Sequence, residues 1–310
     1  MSAVDRSVMA RPAPTPSPSS SAVGHGGPAA APGGSDPGRR RSLGVWSLLR
    51  SELGLIGGRR RNQMGLLVLA AVPVLIAVAT RMSSRSGGGG FFGSITDNGL
   101  FVAVAALTVE IPMFLPLAMS MLAGDAIAGE ANQGTLRYLL TVPVSRTRLL
   151  FVKYLALVVG GFWGLAVVVG TGLAVGVGVF GAGPATTLSG TRIGFGEASW
   201  RLVLAVLYLG VFLAALSAIG LFVSTLTEQP IAATIAVMIV NVTMWILTGI
   251  AQLSWLHPYL LVHRAMSFAD VFRDPMWFGD IGTGLALAGG YILVFVALAW
   301  ARLSGKDITS

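Results

Sequence analysis

The sequence contains no cysteine and is poor in charge, since Asp, Glu, Lys and Arg make up only 11% of its 310 residues. Proteins that fold in water are about 25% charged. The lack of cysteine excludes disulfides and thiolate metal sites from this chain. A hydrophobic fraction of 54% is more than a water-soluble fold of this size could hide, so the composition favours a membrane protein.

Histidine is scarce, with three residues, and no metal or hydrolase pattern surrounds them. His257 and His263 lie near Asp270 and Asp274, but these spacings match no compact metal site. The chain also lacks the G-x-S-x-G elbow that presents a nucleophilic serine. We therefore predict no catalytic residues and no metal in this chain.

The phosphate-binding loop of ATPases, G-x-x-x-x-G-K-[ST], is missing as well. Gly305 and Lys306 form the only Gly-Lys pair, and Trp300 stands where the first glycine would be. This chain therefore does not bind ATP by that route. Energy for any transport must come from another subunit or from an ion gradient.

Residues 1–41 are rich in Pro, Ala, Ser and Gly, with proline at every second position from Pro12 to Pro18. Such a segment cannot bury enough apolar surface to order itself, and it has no apolar core of a signal peptide. We predict a disordered cytoplasmic tail. A proline-rich docking peptide is the alternative.

Residues 42–57 have the pattern of an amphipathic helix. Trp46, Leu49, Leu53 and Ile56 recur at helical spacing, which is typical of a helix lying in the membrane interface. Glu52 interrupts the apolar side of this helix. It needs either a partner on another cytoplasmic element or a route along its stem to water.

Six apolar stretches follow, each near the roughly 20 residues that cross a bilayer core. They lie within a transmembrane domain of residues 58–303, which a short cytoplasmic tail, 304–310, follows. Since helices satisfy their own backbone in lipid, we predict an all-α polytopic membrane protein. The predicted spans are residues 64–80, 100–122, 155–180, 202–225, 231–250 and 281–300.

The distribution of Lys and Arg predicts the orientation. With six spans, fifteen of the 21 basic residues fall on the side of the termini and six on the other side. The positive-inside rule then places both termini in the cytoplasm of an inner-membrane protein. The formal charge of +8 indicates contact with membrane lipids. It does not indicate nucleic acid, because the basic residues flank apolar spans instead of forming one solvated stripe.

The three loops on the other side differ in character. The longest, residues 251–280, is dense in tryptophan and tyrosine, which favour the headgroup level of a bilayer. We predict that this segment rests at the outer interface or dips into it.

The connection between the second and third spans, residues 124–148, has the pattern of a short helix. Glycines permit chain breaks on either side, a threonine can cap the helix, three leucines form an apolar face and a proline ends it. Such a helix, tied to two spans, could carry motion from a cytoplasmic partner into the membrane. These residues are Gly124, Gly129, Gly134, Thr135, Leu136, Leu139, Leu140 and Pro143.

Residues 124–154, which include this segment, contain the pattern E-x-x-x-G-T-L-x-x-L-L-x-x-P-x-S-R-x-x-x-L-x-x-K. This pattern, with the six-span layout, resembles the permease subunits of ABC transporters of the type-two export family. The matching residues are Glu130, Gly134, Thr135, Leu136, Leu139, Leu140, Pro143, Ser145, Arg146, Leu150 and Lys153.

The resemblance implies a coupling helix that docks on a separate ABC ATPase subunit, which would hold the ATP and Mg. It also implies a second permease copy or paralogue, and export of an unidentified substrate by alternating access. Glu52 would find its partner in Arg137, Arg146 or the ATPase. The implied coupling residues are Glu52, Asp125, Glu130, Gly134, Thr135, Leu136, Arg137, Leu139, Leu140, Pro143, Arg146 and Lys153.

Polar residues and prolines inside the spans mark a candidate translocation path. An ionised Glu110 in lipid would cost about 3 kcal/mol or more, so it should face the bundle, a cavity or a partner, or be protonated. Pro112 and Pro116 should kink the same span. Asn241 and Thr243 either line a polar path or form ordinary interhelical hydrogen bonds.

The third span holds two pairs of glycines four residues apart, Gly160 with Gly164 and Gly172 with Gly176. Small residues at this spacing allow close helix contact. The contact could be made inside the chain or with another subunit, and we expect it inside.

Two other classes of protein fit the residues. One is an ion-gradient-driven secondary transporter with Glu110 as the carrier. The other is a non-transporting membrane scaffold or immunity protein.

Overall fold

A computed structural model describes residues 45–84, 98–132 and 146–305. These residues are almost entirely helical, which confirms the predicted all-α class. The predicted tail of residues 1–41 lies outside the described residues, as does nearly all of the predicted tail 304–310.

Short strands and 3₁₀ helices accompany the α-helices in the described residues. A two-residue antiparallel pair, β1 (Ala185–Thr186) and β2 (Arg192–Ile193), lies between the helices Arg146–Phe180 and Phe195–Leu226. Short 3₁₀ helices occupy Ala251–Leu253, His257–Tyr259 and Met266–Phe272. The α-helices are α1 (Val45–Gly58), α2 (Arg60–Ser84), α3 (Leu100–Glu110), α4 (Phe114–Ala126), α5 (Ala128–Asn132), α6 (Arg146–Phe180), α7 (Phe195–Leu226), α8 (Pro230–Thr248), α9 (Leu261–Ala265) and α10 (Gly279–Ser304).

Five of the described helices, α2, α6, α7, α8 and α10, are each long and apolar enough to cross a membrane. The second predicted span is divided into α3 and α4, which are bent by 59° across a short break. The count is therefore six if that pair forms one span. Pro112 lies in the break, where its missing N–H removes a helical hydrogen bond.

Helix α7 occupies the centre of the bundle. In its most apolar stretch 72% of the residues are buried, whereas the figure is 17% for both α8 and α10. The main core packs around α7 and includes Leu209, Phe212 and Leu216. Helices α8 and α10 therefore present most of their surface outward.

The predicted glycine contacts are made inside the chain. A Cβ atom on Gly172 would lie 2.7 Å from the Cα of Ala103, and one on Gly176 would overlap the carbonyl oxygen of Gly99. Helices α3 and α6 thus touch backbone to backbone at one end of the bundle. A Cβ on Gly164 would meet Leu69 at an ordinary distance of 3.6 Å, so that position is looser.

The segment of residues 251–280 contributes both to the core and to the surface. Leu261, Phe268 and Val271 are buried in the main core, while Trp255 and Tyr259 remain exposed. Apolar residues at its centre therefore anchor this loop in the bundle and leave aromatic rings at its edge.

A buried arginine holds the same segment from α7. Arg201 is 3% exposed. It donates hydrogen bonds to the carbonyl oxygen of Arg273 at 2.7 Å and to the Glu197 carboxylate at 2.5 Å. Arg264 pairs with Asp280 at 2.7 Å and joins the segment to α10.

Replacing Gly172 by leucine should destabilise the protein by about 1–3 kcal/mol, since the side chain would force α3 away from α6. The matched control is Gly170→Leu on the same helix, because no atom lies within 4 Å of a Cβ at that site. Thermal unfolding in detergent, followed by tryptophan fluorescence, measures both variants. Equal melting temperatures would contradict the proposed contact.

Candidate functional site

Charged residues gather at the end of the bundle where α1, α5 and the beginning of α6 meet. At its centre is the lysine–carboxylate cluster, which consists of Glu52, Glu130 and Lys153. The Nζ atom of Lys153 lies 3.1 Å from Glu52 Oε1 and 2.5 Å from Glu130 Oε1. The three side chains come from α1, α5 and α6, so the cluster joins all three helices.

The side chains of this cluster are largely shielded from solvent. The Lys153 side chain is 2% exposed, and those of Glu52 and Glu130 are 20% and 15% exposed. A buried charge without partners costs several kcal/mol, so each member depends on the others. Burial raises the pKa of Glu130 above its ordinary value, and the Lys153 ammonium opposes that rise.

Apolar packing brings Glu52 to Lys153. Leu49 of α1 is buried against Val152 and Ala156 of α6. Glu52 lies one helical turn after Leu49 and therefore shares its side of α1. Glu52, the one charged residue on the apolar side of this amphipathic helix, thus lies against the buried Lys153.

A second set of ion pairs connects α4 with the junction of α1 and α2. Asp125 accepts a hydrogen bond from Arg59 at 2.7 Å and another from Arg61. Asn62 donates to the carbonyl oxygen of Ile56 at 2.8 Å, so an otherwise open carbonyl near the end of α1 is satisfied. The turn between α1 and α2 is therefore tied to the last turn of α4.

Ser224 fastens the junction between α4 and α5 to α7. Its Oγ accepts hydrogen bonds from the N–H groups of Ile127 and Ala128, at 3.1 and 2.9 Å, and donates to the carbonyl oxygen of Gly124. Sequence analysis missed this residue. The one feature of the sequence that could have identified Ser224 is its position as a polar residue near the end of an apolar span. Many serines with only a structural role share that position.

Arg146 begins α6 and reaches the end of α10. It donates hydrogen bonds to the carbonyl oxygens of Leu303 and Ser304, at 3.1 and 2.9 Å. A cation is favourable at a helix C-terminus because the last carbonyls carry partial negative charge. Among the described residues, the partner of Glu52 is thus Lys153, which was not one of the three alternatives expected for it.

The structure describes five of the twelve predicted coupling residues. Glu52, Glu130 and Lys153 form one cluster, while Asp125 and Arg146 make separate contacts at the same end of the bundle. The remaining seven lie outside the described residues: Gly134, Thr135, Leu136, Arg137, Leu139, Leu140 and Pro143.

The predicted path residues lie around the break between α3 and α4. Glu110 is fully buried at the end of α3, and within the described residues its carboxylate oxygens have no hydrogen-bond partner. Asn241 of α8 donates to the carbonyl oxygen of Pro112 at 3.0 Å. Pro116 is buried in α4, whereas Thr243 is exposed on another side of α8.

The two histidines of the loop after α8 lie beside each other. The rings of His257 and His263 are 5.1 Å apart between centroids. Across the described parts of the chain, no three His, Cys, Asp or Glu side chains are grouped as a metal ion would require.

These features define a multi-pass helical membrane protein. Ion pairs join its helices to one another at one end of the bundle. Residues 58–244 match the family described as ABC-2 family transporter protein. The chain belongs to this family.

Two relatives share about a third of their aligned residues with this chain. The probable ABC transporter permease protein NosY of Stutzerimonas stutzeri is 34% identical over 130 residues, which cover 42% of this chain and 44% of the relative. The protein of the same name from Pseudomonas aeruginosa is 35% identical over 111 residues, or 36% and 38% of the two chains. The chain thus spans less than half the length of these curated relatives.

Replacing Lys153 by methionine should cost about 3 kcal/mol or more, because it leaves two buried carboxylates facing each other without a cation. The triple variant Lys153→Met, Glu52→Gln, Glu130→Gln removes all three charges and should recover most of that loss. Denaturant unfolding in detergent micelles gives both values.

The matched control is Arg50→Met, which removes an exposed cation from α1 and should change stability by less than about 0.5 kcal/mol. The cluster would lose its structural role if Lys153→Met were as stable as this control.

Proposed function

We propose that this chain is the membrane-spanning permease subunit of an ATP-driven ABC exporter. It would lie in the cell inner membrane with both termini in the cytoplasm. ATP and Mg would be held by a separate ATPase subunit, and this chain would need no cofactor of its own. Family membership and the names of the two relatives, both probable ABC transporter permeases, support this proposal.

The observation that carries the proposal is the lysine–carboxylate cluster. Glu130 precedes the segment of residues 133–145 and Lys153 follows it, so the ion pair of 2.5 Å joins the two flanks of that segment. A push on the segment would therefore reach α5, α6 and, through Glu52, α1. We propose that residues 124–148 dock on the ATPase and that its closure on ATP moves these helices together.

The break between α3 and α4 supports a translocation path through the bundle. Glu110, Pro112, Pro116 and Asn241 surround it, and a bent helix pair could change its angle when the cytoplasmic end moves. Thr243 would contribute from an exposed side of α8, where a second permease copy or paralogue could face it. Transport would follow alternating access between the two copies.

The buried Glu110 also fits the alternative function, a secondary transporter driven by an ion gradient. The two functions differ in their energy source. Transport by the ABC exporter stops when ATP is depleted, whereas transport by a Glu110 carrier continues and fails in Glu110→Gln.

Affinity purification of the full chain from its native membranes in mild detergent should recover an ATPase subunit that carries a phosphate-binding loop. Leu139→Asp should reduce that recovery about tenfold or more, since it places a charge on the apolar face of the predicted coupling helix. The control is Leu188→Asp in the loop between α6 and α7, where the leucine is exposed. Equal recovery with both variants, or no ATPase with the unaltered chain, would count against the proposal.

The orientation can be tested with single cysteines because the chain has none of its own. A membrane-impermeant maleimide should label Thr191→Cys in intact spheroplasts and should label Ser304→Cys only after permeabilisation. Both residues are exposed, so access depends on the side of the membrane. The reverse pattern would place the termini, and the coupling segment, on the wrong side for an ATPase.

A further inference from the structure

An apolar groove of about 390 Å³ opens between α1, α2, α4 and α6. Leu66 and Leu69 of α2 face Leu115 and Met119 of α4 across it. A groove of this kind cannot stay empty in a bilayer, where the surrounding medium is hydrocarbon and water is excluded. The walls therefore favour an alkyl chain as the occupant.

Glycines of α6 form part of the groove wall. Gly160, Gly161 and Gly164 all line it, and the exposed Trp163 stands beside them. A Cβ atom on these glycines would meet a side chain of α2 or α4 at 3.2–3.6 Å, so α6 packs closely along this wall. Gly160 and Gly164, which were expected to serve helix contact, thus also line the groove.

The mouth of the groove is basic. Arg61 lines it together with Asn62 and Gln63, and the Arg61 side chain is 42% exposed. Arg59 and Arg60 are its neighbours in sequence. The adjoining space is lined by three carboxylates and two cations: Glu52, Asp125, Glu130, Arg59 and Lys153. With Arg60 and Arg61, four cations face three carboxylates, so the mouth keeps a small positive charge.

The dimensions fit one leaflet of a membrane. From Arg61 to Leu69 the helix rises about 12 Å, at about 1.5 Å per residue. Half of a hydrocarbon core is about 15 Å thick. The groove thus runs from the level of the headgroups through most of one leaflet, with charge at one end and apolar walls along the rest.

We propose that this groove is a binding site for an anionic phospholipid from the leaflet in which α1 lies. One acyl chain occupies the space between α2, α4 and α6, and the phosphate pairs with Arg61. A guanidinium carries five N–H donors and matches phosphate geometry, so Arg61 can hold a phosphate while its Nη2 donates to Asp125. The bound lipid fills the wall of the bundle beside the lysine–carboxylate cluster.

Native mass spectrometry of the purified full chain tests this site with three probes. These are palmitoyl-oleoyl phosphatidylglycerol, phosphatidylcholine with the same chains, and dihexanoyl phosphatidylglycerol. We expect the long-chain anionic lipid to be retained most strongly. Tight binding of the dihexanoyl lipid would show that surface charge alone holds the headgroup, and would overturn the groove assignment.

Two variants separate the chain site from the headgroup site. Ala118→Phe fills the groove and should lower retention of both long-chain lipids about tenfold, in line with the loss of about two buried methylenes. Arg61→Gln should lower retention of phosphatidylglycerol about fivefold. It should lower retention of phosphatidylcholine less, because the choline group already offsets the phosphate charge. Asp125 keeps Arg59 at 2.7 Å in that variant, so the end of α4 stays tied.

Each variant has a matched control on the same chain. Gly170→Phe adds the same ring to an open site on α6, and Arg192→Gln removes the same charge from the loop between α6 and α7. Both controls should retain lipid as the unaltered chain does. The proposal fails if Ala118→Phe and Gly170→Phe, both shown to be folded by thermal unfolding, retain phosphatidylglycerol equally. No step of this test needs the ATPase, so its failure would leave the proposed function standing.

Discussion

A lysine ammonium that is cut off from water must have anionic partners, and this requirement determines how one end of the protein is built. Lys153 can stay charged in its buried position because Glu52 and Glu130 lie within 3.1 Å of its Nζ atom. Those two carboxylates come from two separate helices, α1 and α5. Electrostatics therefore selects one arrangement of α1, α5 and α6, whereas apolar packing alone would tolerate several.

The opposite end of the bundle uses the same physical device with a different cation. Arg201 is buried in α7 and binds backbone oxygen and carboxylate groups of the segment before α10 and of its own helix. Between the two ends, apolar and glycine contacts are joined by a few hydrogen bonds, such as that from Asn241 to Pro112. In the described part of the chain, a buried cation at each end thus holds a non-spanning element against the spanning helices.

The sequence predicted well those features that depend on neighbouring residues. The apolar length marked α2, α6, α7, α8 and α10, and Pro112 marked the place where the second span bends. Helix α6 begins at Arg146, nine residues before the predicted span, because hydropathy detects only the part of a helix that lies in hydrocarbon. Its polar first turns continue the same hydrogen-bonded ladder.

Contacts between distant parts of the chain could not be predicted in this way. Glu52 and Lys153 are 101 residues apart, and nothing in either local pattern identifies the other as its partner. The same holds for Ser224, whose three hydrogen bonds depend on where α4 ends in space. The glycine pairs were partly predictable. Their spacing predicted a close helix contact, but only the structure shows that α3 is the helix that makes it.

The hydrogen bonds of Ser224 have a consequence for how the bundle deforms. A single hydroxyl oxygen receives two main-chain N–H groups at the corner between α4 and α5 while its proton goes to Gly124. If that corner slid past α7, several buried polar groups would lose their hydrogen-bond partners at once. The corner and the central helix therefore move together. Movement within the bundle must then occur where it breaks fewer buried hydrogen bonds. Such places are the sparsely buried helices α8 and α10 and the bend between α3 and α4.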